Sequence, residues 1–410
     1  MNTPPDLLYD LIIVGGGPSG SAAVLYARQA GLSCLLLDRA TFPRDKICGD
    51  ALSGKSVTAL KELGLIDGVR DLPGATIHRV IFGSPDAVEV DIDLRNATRE
   101  EYTTGFVIRR QIFDAFLWRE ACQAATAYQE NVTVKDLLME NGTVTGVSGE
   151  HDGHQVRYRG RIVLGADGFN SIVSRKAGLY RHEPRHWIVA LRQYYENVSG
   201  LTDQIELQYV DEVLPGYFWI FPLENGSANV GIGMVHKDVK EKGIDLKEAL
   251  RSAVESPRFR DRFAGAKPTE EPVGWNLPVG SKHRKNHGSG FMLLGDAASL
   301  IDPFTGEGIG NALYSAKFAV ETAREAVDAG DVSEKRLSTY DRKLWDEIGD
   351  ELRTSARLQS LGRFRPLLNF VLHKAARSTH VRDVICGMIA NEVPKRRLTN
   401  PLFYLRLLFS

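Results

Sequence analysis

The chain begins with short apolar runs that alternate with a helix-forming segment. Leu8–Val14 is an apolar run that ends in glycines, residues 21–29 are rich in helix formers, and residues 33–38 form a second apolar run. Apolar runs of this length, bounded by turn residues, are typical of buried strands. The order predicts a strand, a helix and a second strand, which together make a βαβ unit.

The same pattern of apolar and polar positions divides the rest of the chain into predicted strands and helices. Residues 161–164 and 291–294 are two further apolar runs that lead into turns rich in Gly and Asp, and we expect both to join the first sheet. Residues 183–280 alternate aromatic, β-branched and polar residues, which predicts an antiparallel sheet in a second domain. Residues 316–329 and 338–359 are rich in Ala, Leu, Glu, Lys and Arg and predict helices.

Composition narrows the class of protein. With 410 residues, two packed domains and a terminal extension are expected. The contents of 43% hydrophobic and 25% charged residues are ordinary for globular proteins and argue against disorder and membrane spanning, while a net charge of −1 argues against a nucleic-acid partner. The four cysteines have no zinc or disulfide spacing, so no metal site is expected. The first residues lack the features of a secretion signal and predict a cytoplasmic protein.

A glycine motif follows the first predicted strand. Gly15, Gly17 and Gly20 have the spacing Gly-x-Gly-x-x-Gly, and Asp38 closes the second strand. The glycines let the backbone approach a pyrophosphate, the helix N-terminus stabilises its charge, and Asp38 can accept hydrogen bonds from ribose hydroxyls. A plain glycine-rich turn is the alternative. The predicted dinucleotide site also includes Pro18, Ser19 and Arg39.

Two later segments carry a resemblance to a known group. Asp167 and Gly168 stand in VLGADGFNSIVSR, and Asp296 stands in FMLLGDAASLIDPFTGEGIGNAL. With the glycine motif, these segments resemble the FAD enzymes that include aromatic-ring hydroxylases, flavin halogenases and geranylgeranyl reductases. The resemblance implies FAD as cofactor, with Asp296 on the ribityl chain and the next helix N-terminus at the isoalloxazine. The residues implied there are Pro303, Gly306, Gly308 and Ile309. Alternatively, Asp167 and Asp296 only end strands and cap turns.

The same resemblance implies two more cofactor-binding residues. Arg110 stands in Arg-x-x-Phe-Asp with Phe113 and Asp114, which is similar to the helix start where the Arg of the group reaches toward FAD. Its other interpretation is a solvated arginine beside Arg109. Val134 matches the strand that lays its backbone against adenine.

Two segments point to one member of the group. Cys48, Gly49 and Asp50 stand in DKICGDALSG, and the segment LPGYFWIFP follows later in the chain. Both resemble geranylgeranyl reductases, which carry a Cys-Gly segment and a Tyr-x-Trp-x-Phe-Pro segment in these places. The halogenase segment is Trp-x-Trp-x-Ile-Pro instead. Archaeal reductases have their leading Pro one residue further from the Tyr than Pro215 is here, so the substrate subtype stays open.

These segments supply the catalytic and substrate-binding candidates. Tyr217, Trp219 and Phe221 alternate on a strand and share one face, as an apolar wall for an isoprenoid chain or as ordinary core. Cys48 either positions substrate and helps deliver a proton, or is a small packing residue. Asp50, with Ala51 beside it, either meets the flavin or its phosphates or fixes the shape of the loop. Cys48, Tyr217 and Trp219 are the catalytic candidates.

The reaction implied by the resemblance is hydride transfer from reduced FAD to one carbon of an isolated isoprenoid double bond, with a proton to the other. The substrate would be a prenyl lipid, quinone or diphosphate, and electrons would come from NAD(P)H or a small redox protein. An FAD-dependent aromatic hydroxylase is one alternative. A non-catalytic prenyl-binding protein is another, from a different functional class.

The expected fold is α/β: a Rossmann-type FAD-binding domain, a discontinuous antiparallel-sheet substrate domain and a helical C-terminal region. The FAD-binding domain is expected to comprise residues 1–75, 105–180 and 285–330. The substrate domain comprises residues 76–104 and 181–284, and the helical region residues 331–410. Within that region, residues 363–410 mix arginines with Leu and Phe, which predicts helices that close the substrate cavity and either contact a membrane surface or simply pack.

Overall fold

The computed structural model describes residues 8–98, residue 100 and residues 103–389, and within this part the strands form three sheets. The first sheet has a parallel centre in the order β19, β11, β1, β2, β8. An antiparallel strand, β18, lies at one edge, and β9 and β10 form an antiparallel extension of β11. Its strands are β1 (Leu8–Val14), β2 (Cys34–Leu37), β8 (Ala127–Gln129), β9 (Val132–Glu140), β10 (Thr143–His151), β11 (His154–Gly165), β18 (His287–Gly288) and β19 (Phe291–Leu293).

The second sheet has the order β16, β12, β15, β14, β13, β5, β6, with β17 also pairing with β12. Its strands are β5 (Arg79–Gly83), β6 (Glu89–Asp93), β12 (Trp187–Glu196), β13 (Gln204–Gln208), β14 (Tyr217–Pro222), β15 (Ala228–Val235), β16 (Lys267–Pro268) and β17 (Val273–Pro278). Neighbouring strands are antiparallel except β13 and β5, which pair in parallel. The small third sheet contains β3 (Ala51–Leu52), β4 (Ala75–Ile77) and β7 (Gly105–Val107).

The helices of the described part surround these sheets. They are α1 (Pro18–Gln29), α2 (Gly54–Glu62), α3 (Ile66–Arg70), α4 (Arg110–Ala124), α5 (Ile172–Lys176), α6 (His236–Lys242), α7 (Leu246–Glu255), α8 (Arg260–Phe263), α9 (Ile309–Ala329), α10 (Glu334–Leu361), α11 (Arg365–Arg377) and α12 (Thr379–Ile389). The expected α/β fold with a second, largely antiparallel sheet and C-terminal helices is confirmed. None of the helices in this part is long and apolar enough to cross a bilayer.

The βαβ unit is formed as predicted. β1 pairs in parallel with β2, and α1 connects them. Leu11, Ile12 and Ile13 are fully buried because helices cover both faces of a parallel sheet, which explains the continuous apolar run. The packing also places α10 in the same core, through Leu344 and Leu352 among others.

The second sheet is covered on both faces. α11 and α12 pack against its inner side, where Leu372 and Val381 share a core with Trp219. α7 covers the outer side with Leu246 and Leu250. The short helices α6, α7 and α8 were not predicted, since the aromatic and β-branched alternation that surrounds them in the sequence is typical of strands. The domain limits given above stay a prediction.

Candidate flavin and substrate site

A cavity of about 940 Å³ lies between the two large sheets. Its walls come from the turn after β1, the loop between β2 and β3, strands β12 to β14, and the loop before α9. Every site residue predicted from the sequence lines this cavity except Gly20 and Pro303. The fold therefore gathers segments that are some 300 residues apart in the chain into one space.

The turn after β1 is shaped to let a ligand approach the backbone. Gly15 has φ +104°, and a Cβ on it would lie 2.4 Å from the carbonyl oxygen of Ala166, so no other residue fits there. α1 begins at Pro18 with no side chain capping its N-terminus. The free N–H groups of that helix end are suited to a phosphate.

Asp38 holds this turn in place from β2. One carboxylate oxygen accepts a hydrogen bond from the backbone N–H of Gly16 at 2.6 Å, and the other accepts from Ala40 at 2.8 Å. The side chain is buried at the cavity wall. Asp38 therefore orders the phosphate turn, and its contact with a ribose stays a prediction.

Asp167 combines a structural role with an unused acceptor. Its Oδ2 accepts hydrogen bonds from the N–H groups of Ile172 and Val173, at 2.7 and 3.2 Å, and so caps α5. Its Oδ1 is buried without a partner in the structure, and burial raises the pKa of this carboxyl. A ligand hydroxyl in the cavity would satisfy that oxygen.

Asp296 is not used as a turn cap. It stands on the short turn Gly295–Ala298 after β19, and its side chain caps neither end of that turn. The carboxylate instead faces the ammonium group of Lys46 at 3.5 Å and remains partly exposed at the cavity. Lys46 also lies 5.6 Å from the centre of the Trp275 ring.

Arg110 is buried in a charged cluster rather than solvated. Only 2% of the residue is exposed, and its guanidinium makes two hydrogen bonds to Asp114, at 2.7 and 2.9 Å. Arg44 reaches the same carboxylate at 2.8 Å. Burial alone would raise the pKa of Asp114, but the two guanidinium groups hold it below its usual value. The nearby Cys48 side chain also contributes to raising the pKa of Arg110.

The Cys-Gly segment lies directly against the aromatic segment. A Cβ on Gly49 would be 3.2 Å from the ring of Phe221 and 4.0 Å from the indole nitrogen of Trp219. Cys48 is half-buried and also lines the cavity. The two segments that the sequence singled out separately are therefore in contact, and together they line one part of the cavity, called the slot below.

The three alternating aromatic residues share one wall, as predicted. The ring centres of Tyr217 and Trp219 are 6.1 Å apart, and those of Trp219 and Phe221 are 6.2 Å apart. All three line the cavity while packing on the second core. The indole has room because position 231 is glycine, where a Cβ would be 2.1 Å from the ring.

Asp50 fixes the loop that carries Cys48. It is fully buried with φ +67°, and its Oδ2 accepts hydrogen bonds from the Tyr194 hydroxyl and the Asn229 amide, both at 2.8 Å. Burial raises the pKa of Asp50 to about 6, against the lowering effect of these hydrogen bonds. Its contact with a flavin stays a prediction.

Comparison with known proteins agrees with this geometry. The family model described as FAD binding domain matches residues 9–346. Digeranylgeranylglycerophospholipid reductase of Methanocella arvoryzae is 32% identical over 358 residues, covering 86% of this chain and 87% of the relative. Menaquinone reductase of Mycobacterium tuberculosis is 31% identical over 399 residues, covering 94% and 91%. The chain belongs to the geranylgeranyl reductase family of FAD-dependent oxidoreductases.

Solved structures show the same fold. A geranylgeranyl bacteriochlorophyll reductase-like protein from Thermoplasma acidophilum superposes with a TM-score of 0.83 at 26% identity, covering 96% of this chain and 99% of that one. A flavin-dependent brominase, Bmp2, reaches a TM-score of 0.77 at 21% identity, over 93% of each chain, and shares the fold alone.

The residues present fit FAD as the cofactor of this reductase-family chain. The uncapped start of α1 suits a pyrophosphate, and the unpartnered oxygen of Asp167 and the carboxylate of Asp296 suit hydroxyl groups. They converge on one cavity, as a single extended ligand requires. The described residues contain no cluster of side chains that could hold a metal ion.

Two of the predicted cofactor residues, Gly20 and Pro303, do not line the cavity, and their contact with FAD stays a prediction. A Cβ on Gly20 would be 1.7 Å from the carbonyl oxygen of Gly15, so this glycine permits close packing of α1 against the turn after β1. The carbonyl of Pro303 accepts a hydrogen bond from the side chain of Gln359, which ties the loop before α9 to α10.

Sequence reasoning missed several polar residues of the site. Arg44 and Lys46 precede Cys48 in a loop that was expected to approach the flavin. Their positive charges could have marked them as site residues. The guanidinium of Arg192 stacks on the ring of Tyr194 on strand β12, and the guanidinium carbon lies 3.8 Å from the ring centre. Asn229 is the single polar side chain of the apolar strand β15, and that contrast was the available signal.

Proposed function

We propose that this chain is an FAD-dependent reductase that hydrogenates isoprenoid double bonds of a prenyl lipid, quinone or diphosphate. The observation that carries the proposal is the slot, where the Cys48 segment meets the wall of Tyr217, Trp219 and Phe221 within the cavity that the dinucleotide turn also lines. The relatives whose names specify geranylgeranyl lipids and menaquinone support the substrate class.

The cavity suits a long apolar substrate. Beyond the aromatic wall it is lined by aliphatic and aromatic side chains from β5, β13 and α12, namely Val80, Phe82, Ile205, Leu207, Ile385 and Ile389. Burying a hydrocarbon chain there removes it from water, which is the main source of affinity for such a ligand. The same surfaces exclude water from the double bond.

The chemistry requires a hydride and a proton. Bound FAD in its reduced form supplies the hydride. For the proton, the hydroxyl of Tyr217 already donates to the carbonyl of Thr305, and burial raises the pKa of that hydroxyl. The thiol of Cys48 is half-exposed and faces the cavity, so we assign proton delivery to Cys48 and substrate positioning to Tyr217 and Trp219.

Electrons reach the flavin from outside the chain. The sequence has one glycine-rich βαβ unit of the dinucleotide-binding type, and FAD takes it. NAD(P)H that docks transiently, or a small redox protein, is therefore the proposed donor.

We place the reaction in the cytoplasm at a membrane surface, where a prenylated substrate is concentrated. Phe364 is 61% exposed between Arg363 and Arg365, at the start of α11 and close to the helices that close the cavity. An exposed aromatic side chain flanked by arginines suits the lipid interface.

The test is anaerobic incubation of the dithionite-reduced protein with geranylgeranyl lipids, prenylated quinones and geranylgeranyl diphosphate, followed by mass spectrometry. The proposal predicts products heavier by two hydrogens for at least one class. Reduced flavin with no mass gain in any class contradicts it. Oxygen consumption that depends on an aromatic substrate would indicate the hydroxylase alternative.

A further inference from the structure

Asn229 is a buried amide in a strand that is otherwise apolar. β15 reads ANVGIGMV, and Asn229 is completely buried within it. Burying an amide is costly unless its hydrogen bonds are made. The amide of Asn229 makes these hydrogen bonds to groups at the cavity wall that belong to different parts of the fold.

Three contacts use the amide. Its Oδ1 accepts from the indole N–H of Trp219 at 2.9 Å. Its Nδ2 donates to the carbonyl oxygen of Cys48 at 2.7 Å and to the carboxylate of Asp50 at 2.8 Å. The orientation of the amide is fixed by chemistry, since the indole can only donate and the carbonyl can only accept. No carboxylate or aliphatic side chain can make the same set.

The partners belong to the two segments that meet at the slot. Trp219 stands on β14, next to β15, and belongs to the aromatic wall. Cys48 and Asp50 stand on the loop between β2 and β3, which comes from the FAD-binding part of the chain. One side chain thus bonds both segments, and it does so at the point where Gly49 contacts Phe221 and lies close to Trp219.

The loop depends on such bonds. Asp50 has φ +67°, a conformation that non-glycine residues rarely adopt and that the surroundings must stabilise. Asn229 and Tyr194 hold the carboxylate of that residue, and Asn229 alone also holds the carbonyl of Cys48.

We propose that Asn229 is a positioning residue that holds the Cys48 segment against the indole of Trp219, and so fixes the shape of the wall that an isoprenoid chain meets in the slot. The role of the slot as a substrate site rests on the proposed function, but the positioning of Cys48 can be measured without any substrate.

The experiment measures alkylation of Cys48 by iodoacetamide in the FAD-bound protein, resolved by mass spectrometry against Cys122. Cys122 is also half-buried, but it lies on α4 outside the cavity and so reports general loosening. In Asn229→Asp the two donors are lost and a second carboxylate faces Asp50. The expected result is that alkylation of Cys48 relative to Cys122 rises about tenfold, the factor for one lost hydrogen bond to a charged group.

Gln193→Leu is the matched control. Gln193 is a buried amide on the neighbouring strand β12, where it hydrogen-bonds to Glu270 and Tyr195 and does not line the cavity. This variant should leave the ratio unchanged. Trp219→Phe removes a single hydrogen bond and keeps a ring, so it gives a smaller rise and covers the case in which Asn229→Asp does not fold.

Two results would overturn the proposal: an unchanged ratio in both variants at the slot, or a parallel rise of Cys48 and Cys122. With a prenyl substrate, Asn229→Asp should raise KM while reduction of its flavin by dithionite stays normal. If the ratio rises but no prenyl compound is reduced by the unaltered protein, the positioning stands and the proposed function fails.

Discussion

Asp296 and Lys46 face each other at 3.5 Å on the cavity wall, and neither side chain is fully buried. We predict that Asp296→Ala weakens FAD retention, because a ribityl hydroxyl loses a charged acceptor worth about 1.5–3 kcal/mol. Equilibrium dialysis with FAD measures this directly. Asp67→Ala, at a side chain that is 88% exposed on α3, is the control and should bind FAD normally. Unchanged affinity in Asp296→Ala removes this residue from the flavin site.

The pKa of a single residue, Asp50, makes the free energy of unfolding depend on pH. Burial raises its pKa from 3.8 to about 6, so between these values the folded chain binds more protons than the unfolded chain. Its contribution to the free energy of unfolding is then complete below pH 3.8 and is lost as the pH rises through 6.

We therefore predict that Asp50→Asn, which cannot ionise, gains stability relative to the unaltered chain by about 1–3 kcal/mol between pH 4.5 and pH 7.5. Urea unfolding at the two pH values gives the difference. The lost hydrogen-bond geometry of the variant affects both values, so only the change with pH is diagnostic. A pH-independent difference contradicts the assignment.

At the scale of elements, β15 is shaped to admit the indole from β14. A Cβ at Gly231 would lie 2.1 Å from the Trp219 ring and 2.3 Å from the carbonyl oxygen of Leu191, whereas one at Gly233 would meet its nearest neighbour, Ala190, at an ordinary 3.5 Å. We predict that Gly231→Ala lowers the free energy of unfolding by about 1–3 kcal/mol through overpacking. Gly233→Ala, on the same strand and face, should be nearly neutral. Denaturant unfolding compares them, and equal effects would contradict the overpacking at position 231.

The elements also show what sequence patterns can predict. The continuous apolar run of β1 and the glycine turn after it were predictable, because a buried parallel strand and a phosphate turn each impose a local pattern. The parallel pairing of β13 with β5 was not, since it joins segments that are distant in the chain. Asn229 was not predicted as a site residue for the same reason, because its partners Trp219, Cys48 and Asp50 meet only in the folded molecule.

At the scale of the whole molecule, the C-terminal part closes the cavity on one side. Ile385 and Ile389 of α12 line it, while residues 390–410 lie outside the described part of the chain. From the sequence of that segment, in which Arg396, Arg397 and Arg406 flank Leu and Phe residues, we predict that deleting residues 398–410 reduces co-flotation with anionic liposomes. Turnover of lipid-embedded substrate should fall with it. If both measurements are unchanged, these residues only pack.

A prenyl reductase of this form must present an isoprenoid double bond in the slot to the flavin. The most direct measurement is anaerobic single-turnover reoxidation of the dithionite-reduced protein, with a geranylgeranyl compound compared against its fully saturated analogue. Both ligands fill the apolar cavity, but only the first can accept a hydride. We predict that the unsaturated compound alone restores the oxidised flavin spectrum and gains two hydrogens. Reoxidation by both compounds, or by neither across lipids, quinones and diphosphates, would contradict the account.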